Sequence, residues 1–150
     1  MCLMRVWVWQ EASERRRFPG PGLQPGEVCL IHAAAGGVSL TAVQIAKALG
    51  AIVIATCSPG KFAVAKRFGA EYTIDYTRKG WVEEVKKICK TLKKGGVDVV
   101  FDSVGKVEES LKVVGWSGRI LVIGFAGGAI EKVAMNRVRP IPRTIERRFY

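Results

Sequence analysis

The sequence predicts an α/β fold: a doubly wound parallel sheet of five strands in the order 3-2-1-4-5. Three observations lead there. Short apolar runs alternate with longer helical patterns from Val28 to Gly124, the mark of successive βαβ units. The apolar runs lack polar alternation, as expected of strands covered on both faces. The joints between runs are short, and right-handed crossovers then leave few topologies to choose from.

Each element has its own local cause. Val28-Cys29-Leu30-Ile31 is a short apolar run and reads as the first strand. Ala33 to Gly37 is a turn of small residues, and Val38 to Leu49 is an apolar-rich helix that stops at Gly50. Ile52 to Thr56 is rich in β-branched residues and reads as the second strand. Lys61 to Phe68 forms a helix closed by Gly69, and Tyr72-Thr73-Ile74 is a third, short strand. Trp81 to Leu92 is an amphipathic helix with Trp81, Val82, Val85, Ile88 and Cys89 on one face. Its lysines crowd the C-terminal end, where cations complement the helix dipole. Gly95-Gly96 turns the chain into Val97 to Phe101, the fourth strand, which ends at Asp102. A helix around Val107 to Val114 and a fifth strand, Ile120 to Ile123, complete the series.

The chain has 150 residues, 49% hydrophobic and 25% charged, which suits one folded domain. No apolar run approaches the ~20 residues that cross a bilayer, so no membrane segment is expected. Cys2, Cys29, Cys57 and Cys89 make no CxxC pair. That argues against a zinc ribbon or a disulfide framework and for a reducing compartment, with the cytoplasm as the expected location. The net charge is +11, and residues 1–17 and 137–150 hold nine basic and three acidic side chains, +6 of that total. No nucleic-acid motif accompanies them, so solvated ends are expected rather than a nucleic-acid surface. Phe18-Pro19-Gly20-Pro21-Gly22 breaks regular structure. Three segments follow: an irregular 1–22, a domain over 23–138, and an irregular basic tail over 139–150.

In such a sheet ligands bind beyond the carboxyl ends of the strands, where the strand order reverses. The first β–α turn, His32 to Leu40, sits there. Set on the GxGxxG frame it reads Ala34-x-Gly36-x-x-Ser39, with only the central glycine kept. Such a glycine lets the backbone approach a pyrophosphate at a helix N-terminus. A domain that binds NAD usually has an acid at the end of the second strand, on the ribose hydroxyls. Ala51 to Ser58 contains none; Thr56, Ser58 and then Lys61 stand there instead. Without a carboxylate, and with a lysine in the next turn, the site favours a 2′-phosphate and hence NADP(H). His32, the single histidine, follows a core strand and reads as structural. No Ser/His/Asp set, carboxylate pair or HExxH motif occurs, and neither catalytic nor metal-ligating residues are assigned.

Longer motifs extend these readings: Leu23-Gln24-Pro25-Gly26-Glu27-Val28, Ala33 to Val38, Ala42 to Ala51, Ala65 to Ala70, Ile74-Asp75-Tyr76, Val97 to Gly105, and Gly118 to Ala126. Together they resemble the nucleotide-binding domain of the medium-chain dehydrogenase/reductase superfamily, and within it the zinc-free quinone oxidoreductase branch that includes zeta-crystallin. The resemblance implies that Ala34, Ala35, Gly36, Gly37 and Val38 hold the pyrophosphate. It implies that Thr56, Ser58, Lys61 and Tyr76 surround the adenosine ribose and its phosphate. Ser103, Val104 and Gly105, with Gly124, Phe125 and Ala126, would lie along the nicotinamide half.

The departures are equally specific. Ser39 stands where members of the family usually have glycine, and the Thr56 to Lys61 turn is one residue short. Residues 1–22 do not resemble the catalytic domain of the family. The resemblance stops near Val138, where a sixth strand is expected; that strand is expected to be missing, through a truncated or alternatively spliced product or a mispredicted gene. The unpaired edge of strand five would then invite a second copy to pair. The implied function is NADPH-dependent reduction of a quinone or activated alkene, with this chain as a cofactor-binding domain that is inactive alone. The alternatives are a nucleotide-binding module without turnover and, less favoured, a basic nucleic-acid-binding protein.

Overall fold

The computed structural model describes residues 22–124 and the backbone of Thr144–Arg147. Its strands are β1 (Val28–Ile31), β2 (Ile52–Thr56), β3 (Tyr72–Ile74), β4 (Val97–Asp102), β5 (Val114–Val122) and β6 (Thr144–Arg147). Its helices are α1 (Gly37–Ala48), α2 (Phe62–Arg67), α3 (Trp81–Thr91) and α4 (Val107–Leu111), and a short 3-10 turn, Pro59–Lys61, leads into α2. The sheet runs β3-β2-β1-β4-β5-β6, and every pairing is parallel. The expected order 3-2-1-4-5 is therefore present, with its reversal between β1 and β4.

Two cores explain why the strands are apolar throughout. On one face Cys29, Ile31, Val53, Ala55, Val99 and Phe101 pack under Ala42, Val43 and Ala46 of α1 and Ala65 of α2. On the other, Val28, Leu30, Ile54, Ile74, Val100 and Ile120 pack under Trp81, Val85 and Cys89 of α3 and Val107 and Leu111 of α4. Alternate residues of each strand thus serve opposite layers, and each fully buried aliphatic side chain contributes ~1.5–3 kcal/mol.

Two expectations need correction. The last helix ends at Leu111 rather than Val114, and β5 begins at Val114, well before Ile120. Val113 and Val114 are buried and β-branched, and the Val97 N–H donates to the Val113 carbonyl at 2.9 Å, which opens the ladder early. The ladder then slips between Val97 and Val99, across the Gly115 to Gly118 stretch.

The sixth strand is also present, inside the tail expected to be irregular. Thr144 to Arg147 pairs in parallel with Arg119 to Val122. Unpaired N–H and C=O groups along β5 favour a partner, and Pro140 and Pro142 lie just before the strand rather than within it. The β5 edge that would have been open for self-pairing is consequently covered. The expected irregular segment 1–22 falls almost wholly outside the described residues.

Candidate functional site

The strand order reverses between β1 and β4, and the crevice there is framed by the turn after β1. His32 N–H donates to the Phe101 carbonyl at 3.0 Å, and the Ala34 N–H donates to the Thr56 carbonyl at 3.0 Å. The turn is thereby stitched to β4 on one side and β2 on the other. Ala33 takes a positive φ of 47° to make the bend. Gly36 then caps α1 without a side-chain hydrogen bond, and the first turn of α1 contains no acid. Gly36, Gly37 and Val38 are exposed, so the positive end of the α1 dipole faces outward at this point. Ala34 is fully buried in the core, and Ala35 is partly buried against it.

The opposite wall is the end of β4. Asp102 is completely buried, and its Oδ1 accepts from the Val104 and Gly105 N–H groups at 2.9 and 2.8 Å. That carboxylate shapes the Ser103-Val104-Gly105 bend. Its Oδ2 is buried and has no hydrogen-bond partner among the described residues. The Ile123 N–H donates to the Asp102 carbonyl at 2.7 Å, which brings Gly124 alongside. A Cβ on Gly124 would lie 3.2 Å from the Ser103 carbonyl oxygen, so this approach suits glycine. The two walls are joined by Ser39 and Ser103, whose hydroxyls are 3.0 Å apart. Phe125 and Ala126, expected on this shelf, lie outside the described residues.

The third part is the end of β2 and β3. Thr56 pairs in register with Ile74, and the Cys57 N–H donates to the Ile74 carbonyl at 3.0 Å. The following residues, Ser58 and Tyr76, therefore emerge on neighbouring strand ends. Ser58 is half-buried, whereas Lys61 and Tyr76 are exposed. The Lys61 N–H donates to the Ser58 carbonyl at 2.9 Å, closing the tight turn around Pro59 and Gly60. Lys61 is the N-cap of α2, where a cation opposes the helix dipole, so helix stability alone gives no reason for it.

Thr56 itself departs from the expected role. Its side chain is buried and its hydroxyl lies 3.1 Å from His32 Nδ1, on the inside of the sheet. The other ring nitrogen, Nε2, is 3.0 Å from Ser110 Oγ. Ser110 gives its own proton to the Lys106 carbonyl at 2.7 Å, so it accepts from Nε2–H. Nδ1 must then accept from Thr56, which settles the tautomer. Trp81 closes the ring edge-on, with centroids 5.5 Å apart. Burial pushes the His32 pKa down, and the Asp102 and Glu109 carboxylates pull against that shift. The expectation of a structural His32 agrees with this setting.

Sequence reasoning assigned no role to Asp75, one residue beyond β3. Its Oδ1 accepts from the Thr77 hydroxyl at 2.6 Å and the Thr77 N–H at 2.9 Å. The Thr77 hydroxyl holds its pKa below the ordinary carboxylate value. Asp75 thus stays ionised beside Tyr76, and both it and Lys61 act on the buried Cys57. The signal was an acid just past a strand end, inside Ile74-Asp75-Tyr76. The thiols themselves are sealed: Cys29, Cys57 and Cys89 are buried and free, and burial pushes Cys29 up to about 12.

Among the described residues no three His, Cys, Asp or Glu side chains come together to hold a metal ion, so they form no zinc site. No helix among them is long and apolar enough to cross a membrane.

Known proteins share this frame. Quinone oxidoreductase-like protein 2 of Mus musculus is 38% identical over 118 residues, 76% of this chain and 33% of that protein. Quinone oxidoreductase of Pseudomonas aeruginosa is 43% identical over 117 residues, 76% of this chain and 35% of that protein. The chain spans about a third of the length of these relatives. The crystal structure of Escherichia coli quinone oxidoreductase complexed with NADPH superposes with a TM-score of 0.77 at 32% identity, covering 98% of this chain and 43% of that one. The family model described as zinc-binding dehydrogenase matches residues 37–146. The chain belongs to that family, as a quinone oxidoreductase-like member of the medium-chain dehydrogenase/reductase superfamily.

Proposed function

We propose that this chain is the NADPH-binding part of a reductase that passes hydride to a quinone or an activated alkene. The observation that carries the reading is the charge pattern along the crevice. α1 follows exposed Gly36, an N-cap without a side-chain hydrogen bond, and has no acid in its first turn, and Lys61 stands exposed beyond β2, whose end lacks an acid. An anionic pyrophosphate suits the first feature and a 2′-phosphate the second. The donor set therefore fits NADPH. The cofactor supplies the hydride; the chain's part is to bind and orient it.

In this reading the backbone of Gly36, Gly37 and Val38 meets the pyrophosphate, while buried Ala34 and partly buried Ala35 pack the turn from beneath. Ser58, Lys61 and Tyr76 surround the phosphorylated ribose, and Ser103, Val104, Gly105 and Gly124 form the nicotinamide shelf. Thr56 contributes only through the turn that it anchors. The dinucleotide-binding domain runs from Leu23 and takes in β6, and the expected compartment is the cytoplasm. The names of the relatives, quinone oxidoreductases among them, support the acceptor class. In enzymes of this type the acceptor is held between two domains, and proximity provides much of the rate. The 150-residue chain by itself is expected to bind NADPH while turning over little quinone.

Titration of NADPH and NADH against the wild-type chain and Lys61→Glu tests the cofactor assignment. A preference of ~10-fold for NADPH is expected in the wild type. Lys61→Glu should remove most of it and leave NADH affinity within about two-fold. Equal affinity of the wild type for both cofactors would overturn the reading.

A further inference from the structure

We propose that Ser39 is a positioning residue of the crevice: bonded to Ser103, its hydroxyl ties the first turn of α1 to the end of β4. The two walls that would carry the phosphates and the nicotinamide are then one frame. The inference rests on the cofactor reading above and assigns a function to a residue that departs from the family pattern.

Ser39 is the third residue of α1 and is 2% exposed. A serine in a helix commonly turns its hydroxyl back to a carbonyl of the preceding turn. Thr41 does this, donating to the Gly37 carbonyl at 3.1 Å. Ser39 instead reaches across 64 residues of sequence to Ser103 Oγ, 3.0 Å away. Ser103 Oγ in turn lies 3.4 Å from the His32 carbonyl oxygen. A carbonyl can only accept, so the protons run one way: Ser39 donates to Ser103, and Ser103 donates to His32. The chain of bonds therefore joins α1, β4 and the end of β1.

The β4 end is already a stiff anchor. Asp102 Oδ1 holds the next bend through the Val104 and Gly105 N–H groups. The Ile123 N–H clasps the Asp102 carbonyl, and Gly124 lies against the Ser103 carbonyl. A glycine at position 39 would allow helix and sheet to pack but would offer no polar link between these walls. Serine supplies the link, and its burial protects the bond from competition by water.

A ligand that touches both walls should sense the link, and a ligand confined to the adenosine side should not. Ser39→Ala, Ser39→Gly, Ser103→Ala and the Ser39→Ala/Ser103→Ala double variant of the full chain are titrated with NADPH and with 2′,5′-ADP. Circular dichroism checks that each variant is folded. Each single variant should weaken NADPH binding ~3–10-fold, with the double variant no weaker than the worse single one. Affinity for 2′,5′-ADP should stay within about two-fold, so the ratio of the two affinities changes. The proposal is overturned if NADPH binding by folded Ser39→Ala equals wild type, or if both ligands weaken together, which would indicate general loosening. A wild-type chain that binds neither ligand would instead strike the cofactor reading, and the proposal with it.

Discussion

Thr56 Oγ1 donates to His32 Nδ1 across 3.1 Å inside the sheet, so the hydroxyl at the end of β2 faces the core and not the crevice proposed for the cofactor. Thr56→Val removes that donor from a buried ring nitrogen while nearly keeping the shape. A loss of ~1–3 kcal/mol in urea denaturation is expected. The NADPH-to-NADH affinity ratio should stay within about two-fold, because Lys61 and Tyr76 are untouched. A collapse of that ratio without loss of stability would return Thr56 to the ribose site.

Asp102 offers a graded comparison. Asp102→Ala deletes the acceptor shared by the Val104 and Gly105 N–H groups and should cost ~2–4 kcal/mol. Asp102→Asn retains an amide oxygen for them and removes a buried charge whose Oδ2 lacks a partner among the described residues. It should cost ~1 kcal/mol or less. Chemical denaturation of the two variants side by side checks the order; equal losses would mean that the charge, not the acceptor, matters.

Stability should fall in mild acid through His32. Burial keeps its folded-state pKa below the ordinary 6.5, with Asp102 and Glu109 opposing the shift and Lys106 adding to it. The unfolded chain therefore binds the proton first. The stabilisation is complete above about pH 6.5 and declines as pH falls from there toward the lower folded-state pKa. Denaturation midpoints at pH 7.5 and 5.5 should differ for the wild type, and His32→Gln should narrow that difference. An unchanged difference in the variant would assign the acid sensitivity elsewhere.

Gly96 and Gly115 meet backbone to backbone where β4 and β5 begin. A Cβ on Gly96 would lie 2.6 Å from the Gly115 Cα and nitrogen and 2.8 Å from the Val113 carbonyl oxygen. Gly96→Ala should cost ~1–3 kcal/mol or more, because backbone atoms must move. A Cβ on Gly95 would meet nothing within 4 Å, and Gly95→Ala is the matched control. Thermal melting of both variants decides it; equal melting temperatures would sink the argument.

The strands and their order were legible in the sequence, because a parallel strand buried on both faces must be an apolar run. Val28–Ile31, Ile52–Thr56 and Tyr72–Ile74 could be bounded from composition and turns alone. The features behind the candidate site were legible too: Gly36 at the start of α1, and an exposed Lys61 after a strand end without an acid. Side-chain direction was another matter. Thr56 and Lys61 are five residues apart, yet one hydroxyl turns into the core while the ammonium stays in water, because packing against His32 offers a partner that local pattern cannot encode. Ser39 read as a small residue replacing glycine; its partner lies 64 residues away, and Ser110 lies 78 residues from His32. The start of β5 and the pairing of β6 were likewise decided by close backbone approach and by an edge that needed hydrogen bonds. Local sequence determines which segments can be buried strands and helices. Tertiary structure decides which buried polar groups meet, since each must find a donor or acceptor wherever the fold brings one.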